Sequence, residues 1–305
     1  MAGDVDAALI RRLPELRAER PEAIRQRLVS RQRRTLLEGD GRLFIIAADH
    51  PARGSLGVGH DPMAMADRYG LLERLAVALS HPGVDGVLGT PDIIDDLALL
   101  GLLDNKIVVG SMNRGGLRGS SFEMDDRYTG FDVPTMVASG IDFAKALIRI
   151  NLSDPSTVRT LETTARAVTE SSRAGLPIML EPFVSVWADG RIVNQLDTDS
   201  VISSIAIASG LGASSAYTWM KLPVVDDMER VMAATTMPTV LLGGDSGEDP
   251  EETFAAWEDA LTLPGVRGLT VGRTLLYPPD GNVADAVDTA ARLVHPSLST
   301  VPSAR

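Results

Sequence analysis

The sequence contains no cysteine. That excludes disulfides, zinc–thiolate centres and a cysteine nucleophile. Histidine is nearly as scarce: His50, His60, His81 and His295 are the full set. A catalytic metal centre asks for two or three histidines at strand ends, and only His50 is well placed, so no metal and no other cofactor is expected. No run of about eighteen apolar residues occurs, and the opening MAGDVDAALIRR has no apolar signal core. These absences predict a soluble cytoplasmic protein without a membrane partner. An excess of basic charge is missing too, because the net charge is −12. A general nucleic-acid surface needs a basic footprint, so no nucleic-acid partner is expected. An acidic chain can still bind a phosphorylated ligand through a local patch of donors. The last scarcity is the most informative. There are three lysines, Lys106, Lys145 and Lys221, against 26 arginines.

Of what is present, apolar segments dominate, and they come in a rhythm. From Arg42 onward short strands alternate with amphipathic helices, the pattern of a parallel sheet covered on its faces. The predicted strands are Leu43–Ala48, Gly86–Gly89, Ile107–Met112, Ala144–Asn151, Ile178–Phe183, Ala216–Leu222, Thr239–Gly243 and Gly268–Val271. Helices fall near 62–79, 91–103, 133–139, 154–174, 197–210, 225–235, 249–262 and 283–294. Eight strands with eight following helices predict an α/β fold, a TIM (β/α)8 barrel. A doubly wound open sheet would carry a glycine fingerprint after its first strand, and AADHPARGSLGVG has the wrong spacing. Before the barrel, two helices split near Pro21 form an arginine-rich extension. A solvated or subunit-facing surface explains those arginines more simply than RNA binding does, and a homo-oligomer is expected. The domains are therefore an N-terminal helical extension (1–40), the barrel (41–297) and a disordered tail (298–305).

Barrel chemistry sits at the C-terminal ends of the strands. The sequence puts Asp49 and His50 at the first, Asn113 at the third, and Arg149 and Asn151 at the fourth. Glu181 lies on the fifth, Lys221 on the sixth, Gly243-Gly244-Asp245 at the seventh and Gly272-Arg273 at the eighth. The run SAYTWMKLPV (215–224) reads as a buried strand with Lys221 facing the same side as Tyr217 and Trp219. A lysine there must be exposed, paired or functional. Arginine cannot lose its proton, whereas a desolvated lysine can, and can then attack a carbonyl. The glycine pairs at strands seven and eight, with Arg273, fit a phosphate site. As an alternative, they only make tight βα turns.

AYTWMKLPVV, LLGGDSG, VGRTLLYP and AADHPARG together resemble the class I aldolases. The likeness is to the superfamily of deoxyribose-phosphate, tagatose-bisphosphate and archaeal-type fructose-bisphosphate aldolases. It is nearest to actinobacterial deoxyribose-phosphate-aldolase-like barrels linked to myo-inositol catabolism, and it covers roughly residues 42–295. The resemblance implies a lyase in which Lys221 forms a Schiff base, Asp49 contacts substrate near the reacting carbons and Glu181 assists. It also implies that Gly243, Gly244, Gly272 and Arg273 hold a phosphate. The expected substrate is a phosphorylated ketose or keto-sugar acid. One candidate is 2-deoxy-5-keto-gluconate 6-phosphate, cleaved to dihydroxyacetone phosphate and malonate semialdehyde. Deoxyribose-phosphate or fructose/tagatose-bisphosphate cleavage is the alternative, and a non-catalytic sugar-phosphate-binding barrel is an alternative of another class. Two departures stand out. Relatives carry a lysine or tyrosine near the end of strand four, where this chain has Arg149 and Asn151, and Lys145 reads as too deep to reach the rim. No second lysine follows Lys221.

Aldol cleavage needs an electron sink, either a metal ion or a protonated imine. With histidine so scarce, the imine is the better-supplied route. Desolvation and the charge of Arg149 are expected to deprotonate Lys221, with Glu181 or Asp49 moving protons. Asn151, Asn113 and His50 are expected to contact the substrate.

Overall fold

Apolar strand segments a few residues long cannot bury themselves, so they must close on one another and be covered by helices. A computed structural model describes residues 7–244 and 250–300 of the chain and shows how they do so. The strands are β1 (Leu43–Ala47), β2 (Gly86–Gly89), β3 (Ile107–Ser111), β4 (Phe143–Ile150) and β5 (Ile178–Ala188). They continue with β6 (Arg191–Asn194), β7 (Thr218–Leu222), β8 (Thr239–Leu242) and β9 (Val266–Val271). All except β6 pair in parallel with their neighbours, β4 with β5 and β9 with β1, which closes a ring of eight. This is the expected TIM barrel. The addition is β6, which turns back antiparallel on the second half of β5 through Asp189 and Gly190, both at positive φ. Two such residues make the hairpin turn whose twist matches the flanking strands. Lys221 therefore lies on β7, the sixth strand of the barrel.

Helix starts are fixed locally. The carboxylates of Asp67, Asp132 and Asp197 accept from the backbone N–H groups of Tyr69, Thr135 and Ser200, satisfying donors that the first turn leaves free. No helix among the described residues is long and apolar enough to cross a membrane.

Strand side chains alternate in direction, so the barrel has two cores. The outward set packs under the helices. The inward set is small: Leu43, Ile45, Ala47, Leu88, Ile107, Val109, Phe143, Met179, Trp219 and Val240. Phe143 and Trp219 meet edge to face, with centroids 5.5 Å apart. Tyr217, expected on the same strand face, precedes β7 and is 41% exposed.

The N-terminal extension is three short helices, Ala7–Arg11, Leu13–Glu19 and Glu22–Ser30, followed by an irregular segment. Its arginines bind the barrel rather than facing only solvent. Arg17 pairs with Asp96 at 2.7 Å, and Arg31 with Asp142 at 2.6 Å. Arg33 reaches the same Asp142, and Arg34 pairs with Asp85. Asp85 and Asp142 immediately precede β2 and β4, so the segment crosses the bottom of the barrel. Leu36 packs against the inward core there. At the other terminus Pro296–Thr300 form a 3-10 turn, and residues 301–305 of the expected tail lie outside the described residues.

Candidate active site

Above the aromatic floor the inward positions change character. Lys145 follows Phe143 by two residues and Lys221 follows Trp219 by two, so each lysine stands one step nearer the mouth than a ring. Glu181 lies between them on β5, and Asp49 stands just past the end of β1. Lys221 Nζ donates to Glu181 Oε1 at 2.7 Å, and Lys145 Nζ donates to Asp49 Oδ2 at 2.8 Å. Lys145 Nζ also stands 2.6 Å from Glu181 Oε2, close for an ion pair but not aligned as a hydrogen bond. One carboxylate is thus shared by two ammonium groups. The side chains of both lysines and Glu181 are less than a tenth exposed.

This arrangement corrects two expectations. Lys145 is not too deep, since its long side chain reaches both carboxylates. The charge acting on Lys221 is that of Lys145, and Arg149 is engaged elsewhere, its Nη1 donating to Glu123 Oε1. The electrostatics separate the two lysines. Burial disfavours charge on both. For Lys145 it is outweighed by Asp49 and Glu181, and the pKa rises. For Lys221 burial wins, Lys145 adds to it, and the pKa falls despite Glu181. Burial would raise both carboxyls, but Lys145 foremost, with Lys221, brings Glu181 down to about 2 and holds Asp49 well below the carboxylate range. The cluster is two carboxylates, one fixed ammonium and one amine poised to lose its proton. Those are the parts needed to form and break a carbon–nitrogen double bond.

His50 lies beside this group, its Nδ1 3.9 Å from Asp49 Oδ1 and without a hydrogen-bond partner although buried. Burial lowers its pKa well below the usual value, and Arg273, Arg53 and Lys221 lower it further. A neutral imidazole with a free ring nitrogen is suited to a substrate hydroxyl.

Both asparagines have hydrogen-bond partners in the surrounding frame. Asn113 accepts from Leu147 N at 2.9 Å and donates to Leu147 O and Asp126, which ties the long loop after β3 to β4. Asn151 accepts from Ser153 N in the turn leading to the next helix. Asn113 thus has both ends of its amide committed to the frame, and Asn151 has its Oδ1 committed to the turn. Gly243, Gly244, Gly272 and Arg273 do follow β8 and β9 at the mouth, while Asp245 lies outside the described residues. At Gly272 a Cβ would fall 2.2 Å from Ala47 O and 3.0 Å from His50 Cε1. Only glycine permits that approach, so this residue seats His50 whatever else it does. Gly244, at φ +70°, has open space around it.

Lys145 was detectable in the sequence. It shares strand parity with Phe143 and Arg149, and the argument from lysine scarcity applies to it as well as to Lys221. Glu123 and Arg53 sit in loops, where no periodicity marks them. Among the described residues no group of three or more histidines and carboxylates is arranged to hold a metal.

Comparison with known proteins agrees with the fold. The crystal structure of Cgl0159 from Corynebacterium glutamicum superposes with a TM-score of 0.91 and is 69% identical, covering 94% of this chain and 96% of that one. A Schiff-base-forming fructose-1,6-bisphosphate aldolase superposes at 0.60 with 20% identity, over 89% of this chain and 100% of its own. That likeness carries the barrel alone. The 2-amino-3,7-dideoxy-D-threo-hept-6-ulosonate synthase of Halobacterium salinarum is 27% identical over 157 residues. The match takes in 50% of this chain and about half the length of that relative, 54%. The Cgl0159-like family model matches residues 41–291, from just before β1 into the last helix. Barrel, mouth and sequence thus fall within one family, and the chain belongs to the Cgl0159-like family.

Proposed function

We propose that this protein is a class I aldolase that forms an imine between Lys221 and the carbonyl of a phosphorylated keto sugar. The observation that carries the reading is the shared carboxylate of Glu181, with Lys145 held charged and Lys221 pushed toward the free amine.

In this reading the neutral amine attacks the ketose carbonyl, and the carbonyl oxygen takes up a proton to give a carbinolamine. Loss of that oxygen as water leaves the carbon–nitrogen double bond. Glu181 would receive the proton that Lys221 sheds, and Lys145 would supply one to the departing hydroxyl. The protonated imine then accepts the electron pair of the breaking carbon–carbon bond, while a base removes the proton of the hydroxyl that becomes the aldehyde. Asp49, or the neutral His50, would be that base. Reprotonation of the enamine carbon and hydrolysis release the second product and return Lys221.

Gly243, Gly244, Gly272 and Arg273 would hold the phosphate beside β8 and β9. If the clamped phosphate belongs to the fragment bound to lysine, the products are dihydroxyacetone phosphate and an unphosphorylated aldehyde. That regiochemistry fits 2-deoxy-5-keto-gluconate 6-phosphate, which gives malonate semialdehyde, and the sequence resemblance points the same way. Borohydride reduction in the presence of dihydroxyacetone phosphate should fix an adduct on the peptide containing Lys221, and Lys221→Met should abolish it. An adduct on Lys145 or Lys106, with Lys221→Met still active, would overturn the assignment.

A further inference from the structure

The turn between β5 and β6 carries a reactive step that the barrel chemistry does not use. Asp189 and Gly190 close the hairpin between Ala188 and Arg191, with φ of +49° and +73°. Glycine takes that conformation freely, whereas an aspartate there is strained. Among the described residues only Asn105 shares it without being glycine. Both turn residues are exposed, and the Asp189 carboxylate has no hydrogen bond or ion pair among the described residues. The Gly190 N–H has none there either. Glycine has no Cβ, so its nitrogen approaches the preceding side chain with little hindrance. With the carboxyl in its acid form, that nitrogen can bond to Cγ while the Cγ–OH bond breaks and water leaves, giving a cyclic succinimide. Water that adds back at Cγ restores aspartate. Water that adds at the α-carbonyl breaks the bond from that carbon to nitrogen, and the chain then runs through the side chain as isoaspartate.

Asp-Gly occurs at Asp40, Asp85, Asp189 and Asp280, and Asn-Gly does not occur. The structure separates the four. Asp40 accepts from Arg42 N at 3.0 Å and pairs with His295 at 2.8 Å. Asp85 is buried and takes Phe44 N, Arg34 and His295. Asp280 accepts from Asn282 N at 2.9 Å. Asp189 alone has its carboxylate free, at the tip of an arm whose outer strand is 4 residues long. A hairpin of that size opens locally at small cost, and opening supplies the conformations that ring closure needs. We propose that Asp189–Gly190 is a modification site, where succinimide formation turns the backbone to isoaspartate and creates a substrate for a methyl-transferring repair enzyme. The added main-chain methylene does not fit so tight a turn, so the pairing of Ala188 with Arg191 would part. The inference is independent of the imine reading.

Trypsin places the four steps on separate peptides, residues 35–42, 75–106, 174–191 and 274–292, so the comparison is internal to one sample. The folded full-length protein would be kept warm at neutral pH for weeks. Isoaspartate would then be read by labelled methyl transfer from S-adenosylmethionine with an isoaspartyl methyltransferase, and located by electron-transfer fragmentation. Peptide 174–191 should gain label about tenfold or more faster than each of the others, the factor that the hydrogen bonds holding the other carboxylates represent. In concentrated urea the four peptides should label at similar rates, because the Asp-Gly step is common to all. Asp189→Glu should abolish label on 174–191, since the larger ring closes far more slowly. Equal labelling of the four peptides in the folded protein, or none on 174–191, would overturn the proposal. So would a lead for 174–191 that persists undiminished in urea, or label that survives Asp189→Glu.

Discussion

Both ends of the barrel bury ion pairs, and they are built from different cations. At the bottom the cations are arginines: Arg31 on Asp142, Arg34 on Asp85. Each aspartate also receives a backbone donor, from Val108 N for Asp142 and Phe44 N for Asp85. A guanidinium does not lose its proton at any ordinary pH, so this end can only hold. In the cluster around Glu181 at the mouth the cations are lysines, two of them share one carboxylate, and one is pushed toward neutrality. On the proposed function, the same fold separates holding from reacting by the choice of cation. Lys106 is the internal control, being a lysine at the bottom. Burial lowers it to about 8, yet its Nζ donates to the backbone of Val84 and has no neighbouring second lysine.

The contrast breaks most visibly at Lys145. Lys145→Met should lower turnover by about a hundredfold or more, the usual weight of a positioned acid or base. It should also shift the pH dependence of borohydride trapping. Removing the ammonium takes away a charge that depresses Lys221 and leaves Glu181 to raise it, so the half-point for trapping moves to higher pH. An unchanged profile would mean that Lys145 only packs. Lys106→Arg, by contrast, should leave trapping and turnover intact.

At the other end, Arg31→Ala should cost about 3 kcal/mol of stability, because it leaves a buried carboxylate and two carbonyls short of a donor. Its side chain is 3% exposed and serves Asp142, Gly140 and Lys106. Arg33 remains on Asp142 and keeps the loss from being larger. Thermal unfolding should register the change while kcat stays near its original value. A drop in kcat without a change in melting temperature would invert the assignment of roles.

The ends should also answer pH in opposite directions. Glu181 titrates near 2 instead of at its ordinary value of 4.5. A group with a depressed folded pKa contributes stability that is present above its unfolded value and lost as pH falls through the folded one. Unfolding free energy should therefore decline between pH 4.5 and about 2, and Glu181→Gln should flatten part of that decline. His295 behaves the other way. Burial lowers it, but hydrogen bonds to Asp85 and Asp40 outweigh burial and raise it above 6.5. Its contribution is full below pH 6.5 and fades as pH rises through the elevated value, so His295→Gln should remove an alkaline slope. Urea titrations across pH read both.

The smallest expected effect is none. With the imine as electron sink, exhaustive chelation by EDTA should leave turnover unchanged. Activity lost on chelation and restored by zinc would move the chemistry to a metal-stabilised enolate.

Much of the fold was legible because hydrophobic periodicity is local. Gly86–Gly89, Val133–Ser139 and Val283–Val294 have the bounds their residues predict. The hairpin arm β6 was not foreseen, since Arg191–Asn194 has only a short alternation to declare it. Within the site, Lys221, Glu181 and Asp49 were readable as strand-end polar residues in an apolar setting, where the cost of burying charge demands a purpose. The partners of Arg149 and Asn151, and one partner of Asn113, were not legible, because Glu123, Ser153 and Asp126 lie in loops and which side chain a loop offers is set by its path.

The sequence by itself determined the class of architecture and the ionisable side chains that stand at the mouth ends of the strands. Those follow from patterning and from side-chain chemistry, which every residue carries with it. Only the tertiary structure decided which lysine is held charged and which is pushed toward the free amine. That depends on a 2.6 Å approach between β4 and β5 and a 2.7 Å approach between β5 and β7. Such distances are properties of strand tilt and closure, and Coulomb energies in a buried site are steep enough in distance to turn them into opposite pKa shifts.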